Sequence, residues 1–320
     1  LKLQIKSSSE KFRRLHLILL ANPSIKYNFA HMKKILITGA TGFLGSRLAL
    51  YYKDKYELLL PTHDELNVSR EEAVRAYMEE YRPDIVLHCA ALSNTWYCEQ
   101  HPEDSHRVNV QGTVKLAKAC KKTGAKLIFM SSDQVYNGTP MLGHLKESDV
   151  FQPVNVYGQH KLEAEQRAQR NNPTSVGLRL TWMYDLPESQ MKLNSNILVN
   201  LHKAIHEATP IKAATHEYRG VTNVWEVVRN MEKVFAMPGG IYNYGSGNSL
   251  NSYDLNLQTA SLMGVKAPST VVLPDEERFS EQTRNLTMDC SAIAEYDIHF
   301  HDSIEGMEKA LQKAIRNEVV

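Results

Sequence analysis

The sequence predicts an α/β fold: a doubly wound parallel sheet with a small C-terminal lobe. Strand-like and helix-like segments alternate for about 150 residues after Met32, the order expected for parallel strands joined by crossover helices. The first strand runs directly into a glycine-rich turn and a helix, with residues 33–45 reading KKILITGATGFLG. The 320 residues suffice for one such domain and an appended lobe.

The glycine-rich turn indicates a dinucleotide site. Gly39, Gly42 and Gly45 are spaced by three between the apolar run 35–37 and a helical pattern. Glycine is needed where a turn adopts backbone angles that side chains disfavour and where a diphosphate approaches the backbone. The helix that follows directs its free N–H groups and positive dipole end at the phosphates. Strand, turn and helix together predict a Rossmann-type domain.

Short apolar runs bounded by turn residues predict the strands of this sheet. They lie at 34–38, 56–60, 84–88, 126–130 and 175–180. The predicted helices lie at 71–80, 105–122, 155–170 and 302–314. Ser69 and Glu72 form a capping box that places the start of the first of these helices. Ligands bind at the carboxyl ends of parallel strands, so the residues that follow each strand are the candidates for chemistry.

Composition divides the chain into three parts. Residues 1–31 carry six basic residues and one acidic residue, and Met32 directly precedes the first strand. We therefore expect residues 1–31 to be an N-terminal extension outside the fold. Residues 32–180 are predicted to form the dinucleotide-binding Rossmann domain. Beyond 180 the alternation loosens, which predicts a substrate lobe at 181–320, interleaved with late elements of the sheet.

Composition also excludes several classes of protein. The net charge of +1 favours neither nucleic acid nor an anionic membrane surface as a partner. No apolar run approaches the ~20 residues of a membrane span. The four cysteines have no paired spacing, which argues against a structural zinc site or a disulfide framework. The expected location is therefore a reducing cytoplasm.

A serine, a tyrosine and a lysine follow the fourth predicted strand. Ser132 lies just beyond that strand, and Tyr157 and Lys161 stand four apart on the next helix, so they share a face. An ammonium near a phenol lowers the tyrosine pKa, and a serine hydroxyl can hold a carbonyl oxygen. These groups can protonate a carbonyl while hydride arrives from a nicotinamide. Tyr51 and Lys55 share the spacing, but they end the first helix, away from the ligand edge.

The motifs TGATGFLG, LHCAA, MSSD and YGQHK resemble the extended short-chain dehydrogenase/reductase superfamily. Their order resembles its dTDP-4-dehydrorhamnose reductase branch, with three local matches. These are SSD with VYNG at 131–138, NVYG at 155–158 and RLTWMY at 179–184. The resemblance covers residues 32 to 314.

The resemblance implies a role for each matching residue. The diphosphate would be held by Gly39, Gly42, Phe43, Leu44 and Gly45, and the nicotinamide side would be lined by Ala90, Ala91 and Leu92. Asn109 would support the site, and Trp182 would contact the nucleotide sugar. Ser132, Tyr157 and Lys161 would be catalytic, with Ser132 also touching substrate and Tyr157 and Lys161 the cofactor. Arg47 stands where the branch often has an acidic residue serving a metal, so no metal is expected.

Other positions depart from the branch. Trp96 and Gln282 replace residues expected to face substrate, which leaves the sugar open. The tip of the second strand, at 61–64, has neither a well-placed acid for the ribose 2′-OH of NAD nor an arginine for the 2′-phosphate of NADP. The expected cofactor is therefore NADP or NAD. Gln134 follows Asp133 where nucleotide-sugar dehydratases have glutamate, and an amide cannot act as a general base.

The leading prediction is an NAD(P)H-dependent reductase of a 4-keto nucleotide sugar, with Tyr157 as proton donor. Two alternatives remain open. One is a nucleotide-sugar 4-epimerase that keeps its NAD bound. The other is a non-catalytic regulatory subunit like that of methionine adenosyltransferase. The sequence leaves room for a homodimer in each case.

Overall fold

The computed structural model describes residues 32–149, 152–186 and 191–316. Contacts divide the chain into Leu1–Lys33 and Lys34–Val320, and the helices and strands below belong to the second unit. The predicted extension at 1–31 lies outside the described residues. Within the described ranges, no helix has both the length and the apolar character needed to cross a bilayer.

Twelve strands are present in the described residues. In chain order they are β1 (Lys34–Thr38), β2 (Glu57–Leu59), β3 (Ile85–His88), β4 (Lys126–Ser132), β5 (Val176–Leu180), β6 (Trp182–Tyr184), β7 (Ile211–Ala214), β8 (Glu217–Arg219), β9 (Val221–Asn223), β10 (Gly240–Tyr244), β11 (Val272–Asp275) and β12 (Arg284–Leu286). Six of them form one parallel sheet in the order β10-β5-β4-β3-β1-β2. The predicted doubly wound α/β class is confirmed.

The helices of the described residues alternate with these strands. They are α1 (Phe43–Tyr52), α2 (Glu71–Tyr81), α3 (Thr95–Gln100), α4 (Pro102–Ser105), α5 (Thr113–Thr123), α6 (Val156–Asn171), α7 (Ile197–His206), α8 (Val224–Val234), α9 (Ser252–Leu262), α10 (Ser291–Ala294) and α11 (Ser303–Ile315). A π-helical segment, His106–Gly112, joins α4 to α5. Single 3₁₀ turns lie at Asp133–Tyr136 and Pro268–Thr270.

Helices cover both faces of the sheet because every core strand is apolar on both sides. In β1, Ile35 and Ile37 point to one face and pack in a cluster with residues of α1 and α8. Leu36 points to the other face and packs in a cluster with residues of α2 and α5. This arrangement leaves the carboxyl ends of the strands as the edge where loops converge.

Three short parallel pairs accompany the sheet: β6 with β9, β7 with β11 and β8 with β12. A separate apolar cluster lies among them, and it includes Leu198 and Leu201 of α7, Leu255 of α9 and Met307 of α11. Asp302 caps α11 by accepting from Ile304 N, so the predicted last helix begins where expected. Between these elements, β10 returns to the central sheet beside β5.

One local prediction is wrong, and another is correct only in part. The capping box fails because Asn67 Oδ1 accepts from both the Ser69 backbone N–H (3.0 Å) and its hydroxyl (2.7 Å), and the N-cap of α2 is Arg70 without a side-chain bond. The helix predicted at 105–122 is helical throughout, but the helical stretch begins at Pro102 and contains the π-helical segment between α4 and α5. A π-helical turn is wider than an α-helical one and is frequent at functional sites.

Candidate functional site

Two glycines of the turn, Gly39 and Gly45, leave no room for a side chain. Gly39 has φ +68°, and a Cβ there would lie 2.8 Å from the Ala90 backbone nitrogen. A Cβ on Gly45 would overlap the Gly39 carbonyl oxygen, which already accepts from Gly42 N at 2.9 Å. Gly42 caps α1 without a side-chain bond, so the N–H groups of the first turn face the loop. This cradle fits a diphosphate.

The segment Ala90, Ala91 and Leu92 follows β3 and is held by Asn109. The Asn109 side chain accepts from Leu92 N at 3.0 Å and donates to Leu92 O at 2.9 Å. Asn109 is buried in the π-helical segment, and its amide also donates to Ser105 Oγ at 3.1 Å. A single amide side chain thus clamps the backbone beside the glycine turn.

The structure brings Ser132, Tyr157 and Lys161 together at the carboxyl end of β4. The Lys161 ammonium donates to Met130 O at 2.8 Å and lies 5.6 Å from the centroid of the Tyr157 ring. Ser132 lies close enough to Tyr157 to lower the pKa of its phenol. All three residues are buried. The last residue of β4 and two residues of α6, which are far apart in the sequence, therefore form one polar group.

Two local features bring α6 close to β4. Asn155 caps the helix by accepting from Gly158 N at 2.6 Å. Gly158 has no side chain, and a Cβ there would overlap the Gln134 carbonyl oxygen. The glycine between Tyr157 and Lys161 thus allows the first turn of the helix to rest on the backbone after β4.

Burial sets the protonation states at this site. Burial lowers the Lys161 pKa to about 8, although the Glu165 carboxylate on the next turn of α6 opposes that shift. Burial raises the Tyr157 pKa, the Asp133 carboxylate adds to the rise, and the neighbouring Ser132 opposes it. Tyr157 is therefore a neutral phenol near pH 7, and Lys161 is mostly an ammonium.

Two arginines outside the sequence prediction reach the same strand end. Arg219, from β8, pairs with Asp133 at 2.7 Å and lies over the Trp182 ring, 5.2 Å from its centroid. Arg284, from β12, donates to Gln134 Oε1 at 2.8 Å. No local motif marks either residue, because each contact joins segments far apart in the chain. The guanidinium of Arg219 links the polar group around Ser132 to the predicted substrate side.

The three residues expected on the substrate side lie in different surroundings. Trp182 is half-buried and lines a cleft of about 550 Å³. Gln282 lines a second cavity of about 390 Å³ and donates to Gly138 O at 3.3 Å. Trp96 is 70% exposed at the start of α3. The cleft beside Trp182 continues along α7, β7 and α9 through Asn200, Lys212 and Asn256.

Arg47 is completely buried and binds within the chain. It donates from Nε to Asp185 at 2.7 Å and from Nη1 to the Phe43 carbonyl at 2.7 Å, and its guanidinium carbon lies 4.2 Å from the centroid of the Phe43 ring. This pair connects the helix after the glycine turn to the end of β6. Among the described residues, no group of three or more histidine, cysteine or acidic side chains could hold a metal ion.

Comparison with known proteins gives relatives over most of the chain. Methionine adenosyltransferase 2 subunit beta of Xenopus laevis is 28% identical over 282 residues, covering 83% of each chain. The solved dTDP-4-dehydrorhamnose reductase of Bacillus anthracis, a complex with NADP, is 20% identical with a TM-score of 0.77 and covers 88% of this chain and 100% of that one.

A third similar structure is the UDP-glucose 4-epimerase of Thermus thermophilus, a complex with NAD. It is 19% identical with a TM-score of 0.70 and covers 88% of this chain and 99% of that one. Structures of the same fold are therefore complexes with NADP or NAD. The model of the RmlD substrate binding domain family matches residues 32–318, and this chain belongs to that family.

Proposed function

We propose that this protein is an NAD(P)H-dependent reductase of a 4-keto nucleotide sugar. The observation that carries the proposal is the buried group of Ser132, Tyr157 and Lys161 beside the glycine turn. A phenol can donate the proton, a hydroxyl can hold the carbonyl oxygen and an ammonium can stabilise the phenolate, so the three groups together can assist reduction of a carbonyl. The likeness in fold to a dTDP-4-dehydrorhamnose reductase supports the choice of substrate class.

The cofactor fits the residues present. The cradle formed by Gly39, Gly42 and Gly45 would hold the diphosphate of NADP or NAD, with Phe43 and Leu44 beside it. Ala90, Ala91 and Leu92 would line the nicotinamide side, where Asn109 holds the backbone in place. When bound, the reduced dinucleotide supplies a hydride to the carbonyl carbon.

Side chains of the protein supply the proton and polarise the substrate carbonyl. The Ser132 hydroxyl, which donates to Asp133 Oδ1 at 3.1 Å in the structure, would donate instead to the carbonyl oxygen of bound substrate. Tyr157 would transfer its phenolic proton to that oxygen as the carbon–hydrogen bond forms. The resulting phenolate lies near the Lys161 ammonium, which stabilises the negative charge. Trp182 would pack on the nucleotide sugar in the cleft that it lines.

A substitution that removes only the phenolic oxygen of Tyr157 tests the mechanism. Tyr157→Phe keeps the ring and removes the proton donor, so turnover should fall by about 10²-fold or more. The measurement is the loss of nicotinamide absorbance with NADPH or NADH and a dTDP-4-keto-6-deoxy sugar. Tyr51→Phe is the matched control, because Tyr51 has the same spacing to a lysine and the Lys55 ammonium lies over its ring, 4.4 Å from the centroid. Near wild-type turnover in Tyr157→Phe would refute the mechanism.

A regulatory role is the second candidate. It is favoured by the 28% identity to methionine adenosyltransferase 2 subunit beta over 83% of this chain. In that case the chain would bind a methionine adenosyltransferase catalytic subunit. Co-purification in a fixed ratio, together with no oxidoreductase turnover on keto sugars, would favour this role over the reductase.

A further inference from the structure

A buried histidine, outside the catalytic group, lies at the end of β3. His88 is 4% exposed and contacts two threonine hydroxyls: Thr38 Oγ1 lies 2.8 Å from its Nδ1, and Thr113 Oγ1 lies 3.2 Å from its Nε2. Thr38 ends β1 and Thr113 begins α5. The imidazole therefore bridges two elements that flank the predicted cofactor site.

The hydrogen bonds of the two threonines determine the tautomer of His88. The Thr113 hydroxyl donates its only proton to Asn109 O at 2.7 Å, so toward His88 it can only accept. His88 must then carry its proton on Nε2 and accept at Nδ1 from the Thr38 hydroxyl. Thr38 Oγ1 in turn accepts from Ala90 N at 3.3 Å.

The Nδ1–H tautomer of His88 is incompatible with these hydrogen bonds. With the proton on Nδ1, the Nε2 lone pair would face the Thr113 oxygen, whose proton is already directed at Asn109 O. Burial, with the Lys161 charge adding to it, lowers the His88 pKa to about 3 and so keeps the ring neutral.

Both ends of this chain of bonds hold the backbone at 90–92. Thr38 holds Ala90, whose nitrogen would lie 2.8 Å from a Cβ on Gly39. Asn109 holds Leu92 by two hydrogen bonds. His88 joins the two anchors, and neither of its hydrogen-bond partners belongs to the catalytic group.

We propose that His88, as its Nε2–H tautomer, is a positioning residue for the dinucleotide: it fixes the 90–92 backbone against the glycine turn through Thr38 and Thr113. The inference rests on the dinucleotide site of the proposed function. Its distinctive consequence is that a change at Thr113, on the far side of the imidazole, weakens binding at the glycine turn.

Three variants test this role by titration with NADPH and NADH. Thr113→Val removes the hydroxyl and should weaken binding of the preferred dinucleotide by about three- to tenfold, as expected for one lost hydrogen bond. Thr113→Ser keeps the hydroxyl and should restore wild-type affinity. Thr259→Val is the control, because Thr259 is equally buried and donates the same kind of bond to Leu255 O, in a different core cluster.

Nitrogen-15 NMR of the wild-type protein supplies a readout independent of binding. The His88 signals, assigned by their loss in His88→Gln, should show the Nε2–H pattern without titration between pH 5.5 and 8. An Nδ1–H pattern, or wild-type affinity in Thr113→Val, would overturn the inference. If the tautomer is as expected but the wild-type protein binds neither dinucleotide, the proposed function fails, and the positioning role fails with it.

Discussion

At the scale of single residues, the site contains a charge that the fold disfavours. Lys161 is 5% exposed, and its pKa is lowered from 10.5 to about 8 because burial penalises the ammonium. The nearby Glu165 carboxylate offsets only part of that penalty, and the ammonium donates one hydrogen bond, to Met130 O. Functional sites commonly retain such unfavourable groups, and replacing them tends to raise stability at the expense of activity.

Lys161→Met is therefore expected to stabilise the fold at pH 7 by about 1–3 kcal/mol, from the size of the pKa shift. Below pH 8 the folded state carries the buried charge in full. Between pH 8 and 10.5 the folded state releases its proton before the unfolded state does, so the wild-type free energy of unfolding rises with pH. The advantage of the variant should disappear in this range.

Urea unfolding at pH 7 and pH 10 measures this difference. Lys55→Met is the control, because that lysine is 46% exposed and its removal should change the free energy by less than about 0.5 kcal/mol. A Lys161→Met variant less stable than wild type at pH 7 would contradict the expectation. It would mean that the bond to Met130 O outweighs the cost of burying the charge.

At the scale of elements, the glycine turn and α1 act as one unit. Gly45 lies inside α1 and touches the Gly39 carbonyl, so Gly45→Ala must displace the turn from the helix. We expect dinucleotide affinity to fall at least about tenfold, because the cradle loses its close packing. Fluorescence titration with NADPH or NADH measures the change.

The matched control is Gly247→Ala, where the nearest atom to an added Cβ lies 3.9 Å away. That variant should bind the dinucleotide with wild-type affinity. Equal affinities in the two variants would show that the contact between Gly45 and Gly39 does not shape the binding site.

Arg47 and Asp185 connect α1 to the end of β6. Their side chains are 0% and 4% exposed, and they approach to 2.6 Å. Arg47→Met should destabilise the fold by about 3–5 kcal/mol because it leaves Asp185 charged and unpaired, whereas Arg47→Met with Asp185→Leu should recover much of the loss. Urea unfolding of the single and double variants decides this, and purely additive losses would argue against the pairing.

Elements with local signals were predictable, and contacts between distant segments were not. The glycine turn, β4 and α6 each have a recognisable pattern, so the sequence placed Ser132, Tyr157 and Lys161 on the correct elements. Arg219 and Arg284 reach Asp133 and Gln134 from 86 and 150 residues away, and no local pattern encodes such contacts. The predicted capping box does not form, because the backbone N–H and the hydroxyl of Ser69 both donate to Asn67 Oδ1.

At the scale of the whole molecule, the sequence predicted a parallel sheet but did not identify its edge strand β10. β10 reads GIYNY and resembles many short segments in the C-terminal half, yet it pairs with β5 along five residues. Only the three-dimensional arrangement shows that it is a sheet strand and not part of the lobe. The N-terminal extension and the division at residue 180 stay predictions.

The two enzymatic functions differ in how the whole protein holds its cofactor. A reductase must exchange its dinucleotide at each turnover, so the purified protein should give a native mass spectrum free of NAD and bind added NADPH or NADH reversibly. Protein that carries one NAD per chain through purification would instead indicate the epimerase. The same spectrum reports whether the chain is a monomer or a homodimer.

The late return of β10 has a consequence during synthesis. Strand β5 leaves the ribosome well before residues 240–244, so one edge of an otherwise complete parallel sheet stays unpaired while β6 to β9 and α8 are being made. An unpaired apolar strand edge is a template for wrong pairing with other chains. We therefore expect the nascent protein to be prone to wrong pairing in the interval between emergence of β5 and of β10.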